Sequence, residues 1–98
     1  MKPVRIAPPA SEEFTEAVRW YEAKRTGLGG ELYDAVSYAV GLVCEHPEIG
    51  VRVESSHPHR RFLIDGFPYK IVYRERTDDL YIVALAHASR RPGYWKQR

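Results

Sequence analysis

One imidazole, a set of cations and two aromatic rings converge in the last third of this chain. His87 closes the apolar run 80–86, Arg90 and Arg91 follow it, and Tyr94 and Trp95 come next. An unperturbed imidazole titrates near pH ~6.5, so His87 can give or take a proton at neutral pH. Guanidinium groups grip phosphate oxygens as a fork, whereas a lysine acts as a point charge. Arg61 can therefore brace a phosphate and Lys70 can supply a charge from the neighbouring strand. Cations interleaved with aromatics also suit the stacking of nucleotides. Arg60, Arg74, Arg90 and Arg91 extend the set into a basic patch. Each residue also has a plainer reading. His87 can bond a loop carbonyl or pack on Tyr94 or Trp95, the cations can pair with surface acids, and the two aromatics can anchor the tail to the core.

Other motifs carry less. His57-Pro58-His59 places two histidines in a loop, but Cys44 and His46 do not complete a ligand spacing of the zinc type, so no metal is expected. No cofactor is expected either: Gly27-Leu28-Gly29-Gly30 lies between two helices and reads as a breaker, not a phosphate-binding loop. The single cysteine, Cys44, cannot form an internal disulfide and reads as a small buried residue of a cytoplasmic protein. No run is long and apolar enough for a membrane helix, and the first residues lack the stretch of a secretory leader. Net charge is +2, unevenly spread. Residues 1–50 hold five Lys/Arg against eight Asp/Glu, and residues 51–98 hold ten against five. An acidic half joined to a basic half points to one face for an anionic or nucleic-acid target.

The elements that must position these residues follow from periodicity. A short strand over 4–7 is stopped by Pro8-Pro9. A helix begins near 9–11, with Glu12, Glu13 and Glu16 in its first turns complementing the helix dipole. Phe14, Ala17, Val18 and Tyr21 form its apolar stripe. Gly27 and Gly29-Gly30 break it. A second helix over 31–45 carries Leu32, Ala35, Val36, Ala39, Val40 and Val43, and His46-Pro47 ends it. The two helices form an αα-hairpin. Residues 51–54 allow a short strand. Strands over 60–64, 69–76 and 80–86 follow, joined by turns at Asp65-Gly66 and Thr77-Asp78-Asp79, as an antiparallel meander. The expected fold is α+β in the order β-α-α-β-β-β, one domain over 1–98, with an antiparallel sheet covered on one face by the helical hairpin. Register decides whether Arg61, Lys70, Arg74 and His87 gather on the uncovered face.

In this order the residues resemble the RelE/ParE superfamily of small bacterial toxins. The resemblance rests on Trp20-Tyr21-Glu22 in the first helix, Gly27-Leu28-Gly29, His46-Pro47 with Gly50, and Arg60-Arg61. It continues through Phe67-Pro68-Tyr69-Lys70-Ile71-Val72-Tyr73 and Ala86-His87 to Arg90, Arg91, Pro92, Tyr94 and Trp95. It implies the toxin half of a type II toxin–antitoxin pair, held in a hetero-oligomer by a cognate antitoxin. ParE-like members poison DNA gyrase without catalytic residues; RelE-like members cut messenger RNA, often on the ribosome. RNA cleavage by 2′-hydroxyl attack needs a base, an acid and cations for the phosphorane charge. The resemblance makes His87, Arg61, Lys70 and Tyr94 the candidates for such a site. RelE proper relies on a denser set of lysines and arginines than this chain has. The ParE-like reading is therefore placed first, with the ribonuclease and an inactive antitoxin-binding member as alternatives.

Overall fold

The structure is a computed structural model and describes residues 2–98. Strand β1 (Val4–Ile6) leads into helix α1 (Pro8–Lys24). The helix starts a little earlier than the sequence predicts. Pro8 and Pro9 occupy its first positions, where a missing N–H costs nothing and φ is already helical. The acids at 12, 13 and 16 therefore fall beyond the first turn, which holds none. They lie outside the range where the dipole acts most strongly.

Helix α2 (Leu28–Glu45) also begins earlier than expected, because only Gly27 breaks the hairpin. Gly27 adopts φ +92°, a conformation that favours glycine. Gly29 lies inside α2 for another reason: a Cβ there would stand 2.7 Å from the Val18 carbonyl oxygen on α1. The Glu22 carboxylate accepts N–H bonds from Gly27 and Gly29, so a residue of α1 caps the start of α2.

Strands β2 (Val51–Arg52), β3 (Arg60–Leu63), β4 (Tyr69–Glu75) and β5 (Leu80–His87) complete a sheet ordered β1-β5-β4-β3-β2. The meander is antiparallel throughout. β1 joins β5 in parallel, making the sheet mixed, because the helical hairpin and the meander together form the long crossover that a parallel pair needs.

The α1–α2 hairpin covers one face. Leu32, Val36, Ala39 and Val43 of α2 and Ala17 of α1 pack on Ile64, Ile71, Tyr73, Leu80, Ile82 and Leu85. A smaller cluster forms on the other face, where Trp95 of the C-terminal tail covers Val72, Val83 and Ala84. No helix among the described residues is long and apolar enough to cross a membrane.

Candidate functional site

Pleating decides which candidates can meet, since successive side chains of a strand point to opposite faces. On β4, Tyr69, Ile71 and Tyr73 face the helices, which places Lys70, Val72 and Arg74 on the tail side. On β3, Arg61 pairs with Val72 and Leu63 with Lys70, so both share the tail side. Strand β5 begins with Leu80 and Ile82 toward the helices, but a bulge interrupts it. Tyr73 pairs with Ile82 and Val72 with Ala84, which leaves Val83 unmatched. Val83 and Ala84 both face the tail, Leu85 returns to the helices, and His87 emerges on the helix side opposite Tyr69. The His87 ring stands edge-on to Tyr69 with centroids 5.0 Å apart.

The four candidates for RNA chemistry are thus divided by the sheet. His87 and Tyr94 line one hollow of about 420 Å³ between α1 and the tail, together with Trp20, Tyr21, Tyr69 and Arg90. Arg61 and Lys70 lie across the sheet from it. His87 is also engaged locally: its Nδ1 accepts the Ser89 N–H at 3.0 Å and lies 2.8 Å from the Ser89 hydroxyl.

Tyr94 is held by the hollow's own wall. Its hydroxyl donates to Glu13 Oε2 at 2.5 Å, and Arg90 and Arg98 lie against its ring. Burial, followed by the Glu13 carboxylate, pushes the Tyr94 phenol well above its ordinary value. It is a poor proton donor for a leaving group in this setting.

Glu13 does more than periodicity announces. Past Ile82, which accepts the Ala7 N–H, strand β1 runs out and β5 becomes an edge. There Glu13 accepts the Leu85 N–H at 3.2 Å, and Arg98 donates to the Val83 carbonyl at 3.1 Å. The two side chains pair with each other at 2.8 Å. They satisfy strand-edge groups that would otherwise invite another chain. Nothing in the sequence pattern marks Glu13 for this, because its partners lie more than seventy residues away.

The basic residues divide as well. Arg60 donates to the Glu48 and Gly50 carbonyls and so braces the loop before β2. Arg90 lies 4.0 Å from the Tyr94 ring centre. Arg74 is half-buried on the tail side. Among the described residues, Arg61, Lys70 and Arg91 form no ion pair. Arg61 and Lys70 flank Leu63, which is 71% exposed. This part of the sheet is an open face of unpaired cations around an exposed leucine.

A third surface lies on the helical side. Ile6, Phe14, Tyr33, Val40 and Ile82 line an apolar groove of about 280 Å³ between the helices and β1. Ile6 and Tyr33 are more than half exposed there.

Comparison with known proteins agrees with this architecture. No curated protein matches the sequence. A chain of the "Chromosomal ParDE TA system from P. aeruginosa" superposes with a TM-score of 0.67 at 13% identity, covering 91% of this chain and 98% of that one. At that identity the likeness speaks for the fold. The family model described as "ParE toxin of type II toxin-antitoxin system, parDE" matches residues 4–92, from β1 to the start of the tail. With nearly the whole chain matched, this protein belongs to the ParE toxin family within the RelE/ParE superfamily.

Proposed function

We propose that this chain acts in the cytoplasm as a toxin that docks on a macromolecular target such as DNA gyrase, and that a cognate antitoxin neutralises it. The observation that supports docking over RNA cleavage is the division made by the sheet: His87 lies on the helix side, and Arg61 and Lys70 lie on the tail side. A general acid must reach the same phosphodiester that the cations stabilise, within hydrogen-bonding distance of the atoms that react. Unpaired cations around Leu63 suit a contact surface instead, with an apolar anchor inside a charged rim.

Two surfaces suit the antitoxin. The apolar groove between the helices and β1 fits one face of an amphipathic segment. An acidic continuation of that segment would screen Arg61 and Lys70, so antitoxin affinity should fall as salt is raised.

The test is controlled expression without antitoxin, with gyrase supercoiling assayed and RNA ends mapped in the same cells. Docking predicts lost supercoiling, intact ribosome-bound messenger RNA, and growth arrest that survives His87→Ala. New RNA ends that vanish with His87→Ala would establish the RelE-like ribonuclease instead. Growth unaffected by the wild-type chain would mark an inactive antitoxin-binding member.

A further inference from the structure

The loop before β3 holds an arrangement that the docking reading does not use. His57 Nδ1 and His59 Nδ1 are 2.8 Å apart. A gap of that length holds one proton, donated by one ring and accepted by the other. His59 is only 4% exposed, and its Nε2 is buried with no partner among the described residues. Its ring lies 4.8 Å from Trp95, and His57 meets the same indole edge-on at 6.4 Å. Trp95 is the residue of the tail that covers Val72, Val83 and Ala84. The histidine pair therefore forms one wall of the socket that holds the tail to the sheet.

We propose that the His57–His59 pair is a pH-sensitive clasp, in which uptake of a second proton breaks the contact between the rings and undocks Trp95 from the sheet. One proton is tolerated. With one proton on the pair, His57, the more exposed ring, donates Nδ1–H to a neutral His59, and the Glu54 carboxylate lies near His57. Glu54 is itself held by Lys96 of the tail at 2.6 Å. Among the described residues, the Arg52 guanidinium donates to the His57 and Ser55 carbonyls.

The second proton puts N–H against N–H at the same short distance. It also buries an imidazolium beside Arg74, whose Nε is a buried donor with no partner among the described residues. Among the described residues, no carboxylate acts on His59. The rings must part, and the indole loses the wall it packs against. Consistent with this geometry, burial, then His57, then Arg74 hold the His59 imidazole below its ordinary value. The clasp therefore opens in mild acid and stays shut at neutral pH. Opening it uncovers an apolar floor of Val72, Val83 and Ala84 next to Arg61 and Lys70. The inference holds whatever the toxin's target is.

The chain has two tryptophans, so Trp20→Phe leaves Trp95 as the sole reporter. In that background, Trp95 emission should shift to the red between about pH 7 and about pH 4.5 while far-ultraviolet circular dichroism stays constant. His59→Phe keeps a ring against the indole and should abolish the shift. Emission unchanged by pH in the Trp20→Phe protein, or the same transition persisting in His59→Phe, would overturn the clasp. A shift that coincides with loss of circular dichroism would also overturn it, because the change would then be global unfolding.

Discussion

The Tyr73 hydroxyl is fully buried and ties the loop before β2 to the sheet. It accepts the Gly50 N–H at 2.9 Å and donates to the Pro47 carbonyl at 2.7 Å. Gly50 has no room for a side chain, since a Cβ would stand 2.6 Å from that hydroxyl. Tyr73→Phe removes both bonds and leaves the Gly50 donor buried and unpaired, a situation that costs about 1–3 kcal/mol. The urea midpoint should fall accordingly, with the slope of the transition unchanged. Glu13 has a comparable role, since one carboxylate joins α1, the edge of β5 and the tail. At this scale the polar side chains that hold the fold are distinct from the cations left free on its surface.

At the scale of elements, the hairpin depends on close approach. Gly29→Ala would drive a methyl group into the Val18 carbonyl at 2.7 Å and the Glu22 Cβ at 3.0 Å. Backbone cannot yield as a side-chain tip does, so the helices must separate, at a cost of about 1–3 kcal/mol. A lowered melting temperature checks this, and Gly30→Ala is the control, since a Cβ at Gly30 meets nothing within 4 Å.

Both helices and the meander were legible from the sequence because periodicity reports burial directly. The stripe Leu32, Val36, Ala39, Val43 is buried as its spacing requires. The alternation of Tyr69 to Arg74 likewise gives the two faces of β4 correctly. The side on which His87 emerges was not legible. Leu80 to Ala86 is apolar at every position, so nothing in it betrays a bulge. The helix starts at Pro8 and Leu28 were missed because proline and glycine, usually read as breakers, here occupy the first turns. The tail was legible only in part: two aromatics signal an anchor, but the strand edge that Arg98 caps exists only after folding.

For the molecule as a whole, Asp79, Glu54 and His59 set how stability changes toward acid; Glu54, held below its ordinary value chiefly by its hydrogen bond with Lys96, adds to the lower stage. Asp79 is held below its ordinary value of 3.8, chiefly by its hydrogen bonds with Arg76 and then by the charges of Arg76, Arg5 and Arg74. Its contribution is present above that value and is lost as the pH falls further, because the unfolded chain takes up the proton first. His59 is held below its ordinary 6.5 and acts in the same direction at higher pH. The unfolded chain gains a proton there that the closed fold refuses, so stability begins to decline as the pH drops past that point. One proton changes the folding constant by at most tenfold per pH unit. Urea midpoints measured against pH should therefore fall in two stages, and His59→Phe should remove the upper one.

The bulge in β5 has a consequence for how such toxins diverge. Counted in twos from Leu80, the imidazole belongs with Arg61 and Lys70; the one supernumerary residue reverses that parity and sends it through to the opposite side. Smoothing the strand with its first residues fixed would carry the ring across without altering any candidate for chemistry. In a scaffold of this kind, an inventory of side chains could read identically for a cutter and a clamp. An arithmetic remainder in one strand would tell them apart.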